Sequence, residues 1–475
     1  MKKTTLIFFF LLAAKLSQSQ VPKLMGITEQ GNIHPYGELF TINGDGTDFN
    51  ITCNFHATNL LWGHNNSITA SNFVKANNVV YNTSSTSGEN EYGFIFTANP
   101  FDTGYTDVFD FNFTYGGIPS GGLSVGNDGY LYGMTSNGGF YDTGTIYRLD
   151  PSDNYYTYMY SFNGTLGGSP LGNIIQAANK KLYGVTSTGG VNGIGILFSF
   201  DISTLTLTDL YDFSYLSNGY TPDGILVQAN NGLIYGTTEY GGTYNSGVIF
   251  SFDTSGNTYS VVHNFDNPSG SLPVNGQGLM AATDGKLYGM TSWGGTNSGG
   301  VIYSLDPGNN NYHVLYSFTG ATGAYPTSNL IQASDNVLYG VTSTDGKNGF
   351  GVVFSFNPSD SAYTDIFDFS HDTGRTPYGG LVEYSTTGIN TLTAEKLTIN
   401  FYPNPMDDAG TFSFKPNTVK EIKLFNILGQ QVRDLRAISS STSVQLQRGN
   451  LTAGIYFYSA TTTNGIISNG KIVIQ

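Results

Sequence analysis

Leu131-Tyr132-Gly133-Met134-Thr135-Ser136 recurs almost unchanged as Leu182-Tyr183-Gly184-Val185-Thr186-Ser187, Ile234-Tyr235-Gly236-Thr237-Thr238, Leu287-Tyr288-Gly289-Met290-Thr291-Ser292 and Leu338-Tyr339-Gly340-Val341-Thr342-Ser343. Two worn copies precede it, Leu24-Met25-Gly26-Ile27-Thr28 and Val80-Tyr81-Asn82-Thr83-Ser84. The glycine or its counterpart falls at 26, 82, 133, 184, 236, 289 and 340, in steps of 56, 51, 51, 52, 53 and 51. Self-similarity at that period marks a propeller or a stacked array.

Each period holds four strand-like runs. Around the first full copy these are 122–125, 130–136, 144–149 and 155–162, separated by Asn127-Asp128-Gly129, Asn137-Gly138-Gly139 and Asp150-Pro151. Such residues between aromatic and β-branched runs are hairpin and turn chemistry, so the unit is an antiparallel meander. The fourth run ends in Phe55, Phe111, Phe162, Phe213, Phe265, Phe318 and Phe369. The first run is offset: it surrounds Phe73, Leu123, Ile174, Leu226, Leu279, Leu330 and Leu381, so the first period lacks it and a spare copy, 379–384, follows the last.

An open array has no use for a stray strand and would leave edges unpaired. A ring lets 379–384 pair near Leu24 and complete a shared blade. Residues 20–386 therefore read as a seven-bladed β-propeller in an all-β protein. Strand alternation places Leu, Gly and Thr of the repeated phrase on one face and Tyr and its alternates on the other, both covered by neighbouring blades.

Composition agrees: 62 glycines, 33 tyrosines and 32 phenylalanines accompany only 11% charged residues, a balance that favours strands and turns over helices. The net charge of −15 is unevenly spread, with −21 in residues 21–390 and +3 in 391–475. A field that acidic repels nucleic acid and anionic membranes, which excludes nucleic acid as a partner.

No motif for catalysis, metal or cofactor stands out. The histidines at 34, 56, 64, 263, 313 and 371 lack metal-ligand spacing, and His263 occupies the fourth-run slot of Tyr160, Tyr211 and Tyr316. The single Cys53 falls in the same slot and reads as a buried, inert thiol. Asp150, Asp201, Asp253 and Asp306 end third runs in register and suit side chains that bond their own turns; no calcium loop surrounds them. The Gly-Gly pairs at 138, 189, 241 and 294 open no helix, so turn geometry explains them better than phosphate binding.

Variation concentrates in the loops between second and third runs. There Tyr141, Tyr244 and Trp293 stand beside Asn and Asp, a combination suited to stacking on sugars or on a protein partner, and these three are the candidate ligand-binding residues.

The chain ends carry an address. Lys2 and Lys3, the apolar run 6–14 and small residues at 17 and 19 form a secretory signal peptide over 1–19. No segment approaches the ~20 apolar residues of a transmembrane helix. After a linker at 387–396 the repeat stops, and 397–475 shows short alternating strands that read as a small Ig-like β-sandwich. Its Tyr402-Pro403-Asn404-Pro405, the Leu428-Gly429-Gln430-Gln431-Val432 stretch, Leu451 to Tyr458 around Gly454, and the ending at Lys471 resemble the C-terminal sorting domain of the type IX (Por) secretion system. That resemblance implies the type IX machinery as a partner, an extracellular or outer-surface location, and removal of 397–475 on export. The repeats resemble the GloVer tandem repeat of bacterial choice-of-anchor surface proteins, which implies export and a propeller-like array but no established activity.

Two functions follow as expectations. The first is a non-enzymatic surface propeller for binding or adhesion to a glycan or protein. The alternative is a secreted glycosidase or lyase, since 29 acidic residues in 21–390 could assemble two carboxylates unseen. Carboxylates converging at the mouth of a central channel with raised pKa values would favour the second.

Overall fold

The hairpin turn and the tyrosine of the repeated phrase form one device. Asp128 in the turn accepts a hydrogen bond from the Tyr132 hydroxyl at 2.6 Å, and Asp284–Tyr288 and Asp335–Tyr339 repeat it at 2.8 Å. Asn179 and Asn231 donate instead to Tyr183 and Tyr235. The phrase's glycine has an equally local cause. A Cβ at Gly133 would lie 2.4 Å from the ring of Tyr147, its cross-strand partner, and Gly184, Gly236, Gly289 and Gly340 face Phe198, Phe250, Tyr303 and Phe354 in the same way.

The computed structural model describes residues 21–31, 37–55, 72–100, 104–215, 218–273, 278–384, 400–414, 419–426, 431–436, 442–462 and 467–475. They belong to two compact units, 1–385 and 386–475, with no α-helix among the described residues. The signal peptide 1–19, the linker 387–396, Gly429 and the histidines at 34, 56 and 64 lie outside the described residues.

Among the described residues the first unit contains seven small antiparallel sheets, numbered here in chain order. In sheet 3, for example, Ser124–Val125, Leu131–Thr135, Thr145–Asp150 and Tyr155–Ser161 pair in sequence. Sheet 1 joins the two ends of the unit. Lys23–Gln30 pairs with Glu38–Asn43 on one side and on the other with Val382–Tyr384, in the register Lys23↔Tyr384 and Met25↔Val382. The spare strand is shorter than 379–384, and a second segment, Arg375–Pro377, shares the same edge through Thr28↔Pro377 and Gln30↔Arg375. The first strands are two or three residues long. Where a glycine leads into one, the neighbouring backbone comes close: a Cβ at Gly121 would lie 2.0 Å from the Gly172 carbonyl oxygen of the next sheet.

Seven apolar clusters join these sheets pairwise. Sheets 1 and 2 share Met25, Leu39, Val80 and Phe96; sheets 3 and 4 share Tyr132, Met134, Ile196 and Phe198; and sheets 7 and 1 share Tyr339, Val341, Leu24 and Phe40. The remaining four link sheets 2–3, 4–5, 5–6 and 6–7. Within the phrase, Leu131 packs toward sheet 2, while Tyr132 and Met134 pack toward sheet 4. Burial on both faces is why all five residues of Leu131–Thr135 are buried rather than alternate ones, as expected of a sheet covered on both sides.

The second unit consists of a three-stranded sheet (Asn400–Tyr402, Ala409–Ser413, Ser443–Gln447) and a four-stranded sheet (Val419–Phe425, Gln431–Arg436, Gly454–Thr462, Ile467–Ile474). Phe412, Ile422, Leu424, Leu446, Tyr458 and Ile472 fill one core between them. Asn404 clips the last strand: its amide nitrogen donates to the Lys471 carbonyl, and its oxygen accepts from the Val473 N–H.

Candidate functional site

The loops between second and third strands are held by the phrase's threonine. Thr135, Thr186, Thr238, Thr291 and Thr342 each donate to the carbonyl two residues on and accept the first N–H of the third strand. Every joint entering sheets 3 to 7 and returning to sheet 1 reads Gly-x-x-Pro, from Gly116-Gly117-Ile118-Pro119 to Gly374-Arg375-Thr376-Pro377. The glycine makes room for that threonine: a Cβ at Gly219 would lie 2.3 Å from Thr238 Oγ1. The residue before proline is left-handed at all six joints: Ile118, Ser169, Thr221, Leu272, Tyr325 and Thr376, with φ from 46° to 56°. For β-branched residues that conformation is costly. It persists because the N–H bonds back to the preceding sheet's loop, as Ile118 does to the Tyr92 carbonyl, while the carbonyl accepts from its own sheet, as Ile118 does from Ser136.

On this frame the expected site residues are exposed: Tyr141 at 56%, Tyr244 at 61% and Trp293 at 47%. They are not brought together by aromatic contact among the described residues. Tyr141 meets Phe140 edge-on at 4.8 Å, and Trp293 meets Tyr325 from the next joint at 4.6 Å. A larger group forms in sheet 5, from loop and joint tyrosines that the sequence marks as variable but does not bring together. Tyr220 stacks on Tyr240 at 5.5 Å, meets Tyr215 at 5.2 Å and donates to Asn245 Oδ1. Its signal was a tyrosine inside the Gly-x-x-Pro joint.

Two carboxylates also act on one partly buried phenol. Asp223 and Tyr378 follow equivalent joint prolines in sheets 5 and 1, which share no apolar cluster. Burial raises the Tyr378 phenol, and the charges of Glu29 and Asp223 raise it further; burial also raises Glu29. Asp223 itself is buried.

The turn aspartates serve their turns. Asp150, Asp201 and Asp253 accept from the backbone and hydroxyl of a serine two residues on, and Asp306 from the Gly308 N–H. These bonds hold the carboxyls of Asp150, Asp201 and Asp253 below the usual range. The Gly-Gly pairs are turn geometry, both residues left-handed at each, for instance 74° and 79° at Gly138 and Gly139. His263 holds the expected slot, stacked on Tyr312 at 3.7 Å. Cys53 departs from expectation: it holds the slot opposite Leu39 but is only half-buried, packed near Tyr105 at the rim, with burial raising its thiol. Among the described residues no group of three or more His, Cys, Asp or Glu is placed to hold a metal ion, and no helix is long and apolar enough to cross a membrane.

The sheets and joints define an all-β, propeller-like repeat protein. The chain belongs to the Gloeobacter/Verrucomicrobia repeat family, matched over residues 13–165, 68–279 and 273–473. No curated protein matches its sequence. The periplasmic gluconolactonase of Pseudomonas aeruginosa resembles it with a TM-score of 0.51 at 12% identity, over 77% of this chain and 99% of that one. A 6-phosphogluconolactonase candidate from Bacteroides fragilis does so with a TM-score of 0.51 at 14% identity, over 78% and 99%. TolB from Acinetobacter baumannii matches with a TM-score of 0.38 at 12% identity over 77% of this chain, which spans 64% of the TolB chain. At these identities the likeness concerns the fold alone.

Proposed function

We propose that the chain is a secreted or surface-attached, non-enzymatic seven-bladed propeller that binds a glycan or protein through its variable loops. The cycle of seven apolar clusters and the pairing of Lys23–Gln30 with Val382–Tyr384 support the blade count. One observation carries the binding reading: large aromatics, Tyr141, Tyr244 and Trp293, stay exposed on loops whose bases are rigidly tied. In this reading 397–475 is an Ig-like sorting domain, and its Tyr402-Pro403-Asn404-Pro405 motif and Lys471 ending support export by the type IX machinery to the cell exterior. The test is a glycan array with product analysis on the purified chain, beside Trp293→Ala. Binding without turnover, weakened by about 1–3 kcal/mol in that variant with an unchanged melt, is the expected outcome.

A second reading, a secreted carbohydrate-active enzyme, rests on the charges of Glu29 in sheet 1 and Asp223 at the sheet 5 joint both acting on the Tyr378 phenol. Product release abolished by Asp223→Asn would replace the first reading with this one.

A further inference from the structure

Seven copies of one scaffold supply their own controls. The cross-strand pair at the base of the loop is Gly117 with Asn137, Gly168 with Thr188, Ser271 with Trp293 and Ala324 with Thr344 in sheets 3, 4, 6 and 7. Among these described pairs, sheet 5 alone places aromatics on both sides, Tyr220 opposite Tyr240. The fold therefore does not require rings there.

The surroundings are equally specific. Tyr215, 64% exposed, extends the pair outward, and Asn245 holds Tyr220 while its Oδ1 also accepts the Gly241 N–H, leaving its amide N–H groups directed away from these bonds. The Glu239 carboxylate lies beside the Tyr240 hydroxyl and raises that phenol, with Asp223 adding in the same direction. The next sheet also carries an aromatic at the position equivalent to Tyr240, where Trp293 packs on Tyr325.

We propose that Tyr215, Tyr220 and Tyr240, with Glu239 and Asn245, form a binding subsite for an uncharged pyranose glycan; this rests on the glycan form of the proposed function. The C–H face of a pyranose lies flat on a phenol ring, while its equatorial hydroxyls project toward groups at the ring edge. A carboxylate and an amide at that edge supply one acceptor and one donor. Two nearby carboxylates in a stretch, residues 21–390, of net charge −21 disfavour uronic acids and sulfated sugars.

The test is calorimetric titration of the full chain with cellohexaose, xylohexaose and oligogalacturonate, for the wild type, Tyr220→Ala and Tyr240→Thr. Ala and Thr occupy these positions in sheet 7, so the melts should not change. The expected result is binding of a neutral hexasaccharide, weakened at least tenfold by each variant, and none of oligogalacturonate. Should a variant melt lower, Tyr215→Ala gives the same readout from an exposed ring. Undiminished affinity in the variants overturns this subsite while leaving glycan binding intact. Equal affinity for oligogalacturonate overturns the ligand class, and a wild type that binds neither neutral sugar removes the glycan reading and the subsite together.

Discussion

Gly133 shows how tightly single positions are determined. Its Cβ would fall 2.4 Å from Tyr147, whose ring is sealed between sheets 2 and 3 and has no room to retreat. Gly133→Ala should cost about 1–3 kcal/mol by overpacking, read as a lowered thermal midpoint. His263 makes a different point. Burial pushes its pKa down to about 4, so it stacks on Tyr312 as a neutral ring. The unfolded chain takes up that proton near 6.5 and the folded one only near 4, so the unfolded state holds more protons in between. Stability therefore falls as pH drops through this window, by up to about 2 kcal/mol. His263→Tyr, matching Tyr211 and Tyr316, should remove that acid loss in urea titrations at pH 7 and 4.5.

At the scale of elements, every first-unit sheet carries a bulge at one place between its third and fourth strands, as at Ile146/Tyr147 and Val353/Phe354. The extra residue strengthens local twist. Beside the bulge, fourth-strand rings stack across sheets: Phe109 on Tyr156, Tyr211 on Tyr259 and Tyr316 on Tyr363, all within 2° of parallel. In sheet 7 the residue paired with Phe354 is Asp365, pushed up to about 6 by burial and then by Asp368, whose Oδ1 accepts the Lys347 N–H. The folded state holds this proton more tightly than the unfolded one, so stability is lost as pH rises from about 4 through 6. Sheets 5 and 6 carry Val261 and Val314 in that slot. Asp365→Val should therefore stabilise the fold by about 1 kcal/mol at pH 7, with the gain shrinking toward pH 4 in chemical denaturation.

At the scale of the whole molecule, stability depends on contacts between chain ends. Val382 and Tyr384 complete the core shared by sheets 1 and 2, and Glu383 bonds Ser334 of sheet 7. A chain ending before Gly379 should lose several kcal/mol through burial forfeited at that edge, whereas one ending after residue 390 should melt like the full first unit. Equal melts for the two would show that the last strand closes nothing.

The sequence by itself determined the repeat, the four-strand unit and the spare strand, because each depends on turn residues and apolar alternation a few positions apart. It also pointed to the slot shared by Tyr160, Tyr211, His263 and Cys53, since register follows from period. The burial of Cys53 was not legible, as it depends on how far the neighbouring sheet covers the rim. The left-handed residues before Pro119 and Pro377, the Tyr215–Tyr220–Tyr240 group and the influence of Glu29 and Asp223 on Tyr378 were decided only in three dimensions. Each brings together residues from a joint and from a loop or sheet distant in sequence, and which of these face one another depends on how the joints set neighbouring sheets against each other, a relation that no local pattern encodes.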